Sequence, residues 1–188
     1  MPLTDLIKRL ERAKQEIESE FPQKVLQAGS VLVKDISMRL VTKGVDYKGE
    51  KFSSYSTKPM LTSGITTKSQ TVGNRYWKKK DTKWRTILSR GRMVHLFILD
   101  GGYKELRQIE DLQVTHKDFK FTGMMWNQFG VKRFTKNSFT IGGTTDTSQK
   151  KIDGNSQREG RSIIKPSQKE LEKQRLRLKK WLHDKIYS

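Results

Sequence analysis

Through the first forty residues, apolar side chains recur at helical spacing, and that periodicity constrains the fold more than anything after it. Leu3, Leu6, Ile7, Leu10, Ala13 and Ile17 share one face of a 3.6-residue repeat. Val25, Leu26, Gly29, Leu32, Val33, Ile36 and Leu40 share another. Such narrow stripes on charged helices need cover from a sheet or from neighbouring subunits. Phe21-Pro22 separates the two stretches, which predicts two helices, because the residue before proline avoids the helical region and proline suits a helix start. Gly29 either offers another backbone a close approach or merely weakens the helix by about 1 kcal/mol, and Gly44 is the predicted C-terminal stop.

The rest of the chain is poorer in apolar residues. Hydrophobic side chains make up 33% of its 188 residues, which suits one domain, 1–188, with a modest core and segments that depend on a partner for cover. There is no cysteine, so disulfides and thiolate metal sites are excluded. The N-terminal stretch has no uninterrupted apolar run, which argues against a secretory signal, and no later stretch approaches a membrane span. An aqueous intracellular setting, or a particle assembled there, is expected. The formal net charge is +19. Residues 1–44 hold 8 basic and 6 acidic side chains, 45–100 hold 12 and 4, and 101–188 hold 19 and 10, so the excess lies in the middle and C-terminal half. That field attracts phosphate backbones or acidic protein surfaces and fixes no fold.

After the helical region, Gly44–Ser56 carries turn chemistry at Asp46 and Lys48-Gly49, with Phe52 and Tyr55 spaced to rest on one core. Residues 57–92 form a long basic insertion rich in Ser, Thr, Lys and Trp. A hairpin is expected there, Tyr76–Lys79 against Lys83–Leu88. Its Tyr76, Trp77, Lys78, Lys79, Lys80, Trp84 and Arg85 combine rings that can stack on bases with cations that can meet phosphates. The same residues suit a solvated basic loop anchored by its rings. Met93–Leu99 reads as a buried strand or the approach to a helix, ended by Asp100-Gly101-Gly102, and Tyr103–Leu112 as a short helix with Leu106 and Ile109 inward. A β-rich region is expected over 119–143. Phe119 and Phe121 alternate as in a strand, Thr122 can cap the turn that follows, and Phe129–Phe134 pairs with Ser138–Ile141. Within the polar stretch 142–160, Gln149–Asp153 has helical character. The terminal helix, 166–187, is marked by a Ser167/Glu170 capping box and by a stripe of Leu171, Leu178, Trp181, Leu182 and Ile186. Its Arg175, Arg177, Lys179 and Lys180 can lie against DNA or an acidic ring, or simply face solvent.

Catalytic constellations are missing from this pattern. His95, His116 and His183 have no companion at metal-ligand spacing, and no carboxylate pair flanks a glycine-rich or apolar site. No serine sits in a nucleophile motif, and Gly101-Gly102 lacks the remainder of a phosphate loop. The reading is therefore non-enzymatic, with no cofactor, metal or small-molecule substrate expected.

The order of these segments resembles the virion morphogenesis proteins of tailed bacteriophages, the neck, tail-completion and head–tail connector group. Gly44, Asp46, Gly49, Phe52, Tyr55 and Ser56 match a GxDxxGxxFxxYS segment, and Phe121-Thr122-Gly123-Met124-Met125 stands at an xLTGxM segment. A strand pair follows, then the polar stretch Asn155–Arg161 and a Pro/Ser-capped terminal helix. The long basic insertion between the two motifs and the Phe at position 121 depart from the group's pattern. The resemblance implies an α+β fold, with two N-terminal helices and the terminal helix packed on a small antiparallel sheet. It also implies a homo-oligomeric ring joining portal or connector proteins to tail tube or tail terminator proteins, with DNA in the lumen. Assembly would take place in the host bacterial cytoplasm, and the protein's place would be in the virion. A stand-alone basic nucleic-acid-binding protein is the alternative.

Overall fold

The computed structural model describes residues 3–63, 83–89, 91–120 and 123–187. In chain order its elements are α1 (Leu3–Met38), β1 (Met60–Ser63), β2 (Lys83–Ser89), β3 (Arg92–Leu99), α2 (Gly102–Ile109), α3 (Met124–Asn127), β4 (Phe129–Phe134), β5 (Phe139–Gly143), α4 (Asp146–Arg158) and α5 (Gln168–Tyr187). The fold is α+β. Where the sequence reading takes 1–188 as one domain, the chain divides into two compact units, 1–51 with 118–188, and 52–117.

The expected pair of N-terminal helices is one helix of 36 residues that runs through Pro22. Proline inside a helix removes one hydrogen bond and clashes with the preceding turn, a cost of about 3 kcal/mol. Contacts with α5 on both sides of Pro22 offset that cost. Arg9 Nη2 donates to the Ile186 carbonyl at 3.3 Å, and Lys185 Nζ reaches Glu16 and Glu20 at 3.0 and 2.7 Å. The Phe21 and Trp181 rings stack 6.3 Å apart, and Lys173 Nζ meets Asp35 at 2.8 Å. As numbering rises along α1 it falls along α5, so the two helices are antiparallel. A π turn, Arg39–Lys43, then closes the N-terminal helix, and Gly44 ends it at φ 59° with its N–H donated to the Leu40 carbonyl. This left-handed cap is the stop expected at that glycine.

The second half of the N-terminal stripe is covered, while in the first half only Ala13 is buried. Val25, Ala28, Leu32, Ile36 and Leu40 are buried, whereas Leu3, Leu6, Ile7 and Leu10 are exposed. The covering element is the β4–β5 hairpin, which packs on α1 together with α5. Gly29 admits it: a Cβ there would stand 2.9 Å from Val131 Cγ2 and 3.0 Å from Phe139 Cγ. The approach expected at Gly29 is thus made by hairpin side chains. The hairpin pairs Phe129 with Gly143 through Phe134 with Phe139, and shifts register between Val131 and Arg133. α4 packs along β5 and α3, sealing Ile152 and Met125 into the same core.

The 52–117 unit is a three-stranded antiparallel sheet in the order β1-β3-β2, with α2 against β3. The apolar run 93–99 is its central strand, as one of the two expectations had it. Lys83–Leu88 has a partner that the sequence reading did not assign to it. β2 pairs with β3 around Gly91, with Leu88 opposite Met93, while Tyr76–Lys79 lie outside the described residues. β3 is the most apolar segment of the chain and offers two edges, so it recruits both β2 and β1. Phe52 and Tyr55 are both buried in this unit. Tyr55 meets the Tyr103 ring at 5.6 Å, and the Arg107 guanidinium lies 4.3 Å above its centroid. Gly102, at φ 64°, passes so close beneath the Lys58 carbonyl that any Cβ would collide with it.

Among the described residues from Asp118 to Gln128 there is no strand. Phe119 adopts φ 55°, outside any strand, and Gly123 at φ 79° takes the N-cap of α3 with no side-chain cap. Phe121 and Thr122 lie outside the described residues.

Candidate interaction surfaces

Two arginines tie the turn after α1 to the C-terminal part of the chain. Asp46 Oδ1 accepts the N–H groups of Lys48 and Glu50 at 2.8 and 2.9 Å, the hydrogen-bonded turn its residue type favours. Its Oδ2 accepts from Arg161 Nη1 at 2.7 Å, and the same nitrogen meets Glu50 Oε2 at 2.7 Å. Arg161 Nη2 donates to the Lys51 carbonyl at 2.7 Å. Arg39 forms the second tie. Its Nε meets Glu170 Oε1 at 2.8 Å, and its two terminal nitrogens donate to the carbonyls of Val45 and Lys165 at 2.8 and 2.9 Å. Glu170 also completes the expected capping box: its Oε2 accepts the Ser167 N–H at 2.7 Å, and its own N–H is donated to Ser167 Oγ at 3.2 Å.

Asp46 is 1% exposed. Burial pushes its carboxyl upward, but the N–H donors of Glu50 and Lys48 and the charges of Arg161 and Arg39 outweigh that, so it titrates below its ordinary value. The Lys185 hydrogen bond likewise lowers Glu20, and Glu20 and Glu16 raise Lys185. A carboxylate held ionised by donors and cations is a fastener and a poor proton carrier. The cluster joins the α1 turn to the segments that follow α4 and precede α5.

α5 presents the second arrangement. Arg175, Arg177, Lys179 and Lys180 are exposed around its outward side. Trp181, expected beside them, belongs to the seam with α1, stacked on Phe21 and with Lys24 Nζ 5.8 Å from its ring centroid. Three apolar side chains are exposed on the same helix, Leu171 at 45%, Leu176 at 57% and Tyr187 at 68%. Leu171 therefore leaves the inward stripe expected of it. Two acids share this outer side, Glu172 within 3.7 Å of Arg175 and Asp184 beside His183. Where α5 ends against α1, Lys8, Arg9, Arg12 and Lys185 line a groove of about 520 Å³ with Asp5 and Glu16.

The insertion residues are divided by the structure. Tyr76, Trp77, Lys78, Lys79 and Lys80 lie outside the described residues, while Trp84 and Arg85 stand on β2, opposite Phe97 and Leu96. Among the described residues, no cluster of three or more His, Asp or Glu side chains is arranged to hold a metal ion, and no helix is long and apolar enough to cross a membrane.

The sequence reading missed two features. Arg39 carries little local signal, because two of its three partners lie 126 and 131 positions away. α4 is longer than the Gln149–Asp153 expected of it, and its basic face went unread. Thr145 and Ser148 supplied the signal: each side chain caps the other's backbone N–H, a reciprocal box that opens the helix. No protein-family model matches the chain, and neither a curated protein nor a solved structure matches it.

Proposed function

We propose that the chain is a structural component of a tailed-phage particle, a ring-forming adaptor at the head–tail junction between portal and tail. One observation carries the reading. The Gly44–Ser56 turn and the Asn155–Arg161 stretch, two segments of the resemblance, meet through the Arg161–Asp46 ion pair at 2.7 Å. The capping Glu170 of the terminal helix joins the same region through Arg39. A clasp between segments so far apart in the chain is the investment expected of a scaffold that must present fixed faces to neighbours.

Two faces are offered for assembly. The exposed stripe of Leu3, Leu6, Ile7 and Leu10 continues a buried one and suits contact with the next copy around a ring. The outward side of α5 mixes Arg175, Arg177, Lys179 and Lys180 with Leu171 and Leu176, and suits an acidic connector or tail surface with apolar anchor points. The adaptor has no catalytic step, cofactor or small-molecule substrate. Quantitative mass spectrometry of purified particles tests the reading. A fixed, ring-sized ratio of this chain to the portal protein is expected, and its absence from finished particles would sink the assignment.

A further inference from the structure

We infer that the outward face of α4 is a docking strip for the phosphate backbone of duplex nucleic acid. Thr147, Lys150, Lys151, Gly154 and Arg158 fall on one side of this helix, and they line a shallow depression of about 350 Å³. Lys150, Lys151 and Arg158 are exposed, and among the described residues none of them is ion-paired. Two exposed acids border the strip beside Lys150, Asp146 four residues before it and Asp153 three after it, and Asp153 accepts from the Gln149 amide at 2.8 Å. Lys150 and Arg158 stand about 12 Å apart along the axis, roughly the length of three to four phosphates on one strand.

The company these cations keep selects the partner. The only large apolar side chain of α4, Ile152, is 1% exposed and faces the core. Protein interfaces rely on aromatic and aliphatic anchors, and this face has none. Phosphate contacts need only cations and short donors, which Thr147 and the three basic side chains supply. Gly154 is the second, independent observation. A Cβ built there meets nothing within 4 Å, and its backbone is ordinary helix, so nothing inside the protein requires a glycine. Glycine in mid-helix weakens the helix, and here it leaves the surface open between the cations. The gap between Lys150, Lys151 and Arg158 lets a phosphate ridge settle among their cationic ends.

The inference rests on α4 and not on the head–tail reading, which stands or falls on particle composition. The test measures binding of the full-length protein to a short blunt DNA duplex across a potassium chloride series. Substituting Lys150→Gln, Lys151→Gln and Arg158→Gln together should reduce the magnitude of the log–log salt slope by about 2.7, three contacts at about 0.9 each. Gly154→Gln should weaken binding by roughly tenfold with the slope nearly unchanged, because it blocks approach without removing charge. An unchanged slope in the triple variant, with its helical circular dichroism intact, overturns the inference. So does an equal loss of polyglutamate binding, which would make the strip a general anion surface or a site for acidic protein.

Discussion

α4 and α5 are both basic helices on the surface of the same unit, and they carry their charge in different company. On α4 the cations stand among polar residues and two acids around a glycine, with the one large apolar side chain, Ile152, turned inward. On α5 they alternate with Leu171 and Leu176 and with acids that partly neutralise them. Charge alone draws both toward any anion. What lies between the charges decides whether the partner can be a bare phosphate backbone or must be a protein with apolar surface to bury. The comparison teaches that a net charge of +19 names a class of partner only after the neighbours of each cation are known.

The largest effect expected is on the clasp that joins the α1 turn to the segment between the two helices. Arg161→Ala leaves the Asp46 carboxylate buried without its nearest cation and should destabilise the 1–51/118–188 unit by about 3 kcal/mol, read as a lower midpoint in urea unfolding. If both basic faces stay functional and stability is unchanged, the clasp does not support them. Glu170→Ala sharpens the comparison, because it removes the α5 cap and the Arg39 contact while leaving α4 untouched. A loss of about 2 kcal/mol is expected, with the duplex salt slope preserved.

Acid should act through the same clasp. The Asp46 carboxyl titrates below its reference value of 3.8, so its contribution is present above that pH and is lost as pH falls through the lower folded value. Stability of the natural protein should therefore fall more steeply below about pH 4 than that of Asp46→Asn. Parallel pH curves for the two would show that other carboxylates dominate. The smallest effect belongs to Arg175→Ala. Its exposed contact with Glu172, 3.7 Å away at i,i+3, should be worth under about 0.5 kcal/mol in thermal unfolding. A larger loss would mean that the outer face of α5 has a structural role that competes with partner binding.

Much of the local structure was legible because its causes are local. The left-handed stop at Gly44, the Ser167/Glu170 box and the Phe129–Phe134 hairpin each follow from residues within a few positions of one another. β3 was legible as an apolar run. Pro22 was misread for the opposite reason. The rule that breaks a helix before proline is local, and it was overridden by contacts from residues 181 and 185, far away in the chain. The β2–β3 pairing went unread because strand pairing depends on which edges the finished sheet leaves open, while the expected Tyr76–Lys79 strand lies outside the described residues. Of the residues expected to make contacts, the α5 cations are gathered on the outside, while Trp181 is drawn into the α1 seam by Phe21.

By itself the sequence determined the stop at Gly44 and the cap of the terminal helix, which stretches are apolar enough to be cores, and that the chain carries a strongly basic field. Hydrogen-bond capping, side-chain periodicity and charge are properties of neighbours in the chain. Tertiary structure alone decided that two predicted helices are one, that Asp46 and Arg161 meet across 115 positions, and that α4 and α5 expose different surroundings for the same kind of charge. Those outcomes depend on which groups are brought together once the core is buried, and burial sums contacts over the whole chain.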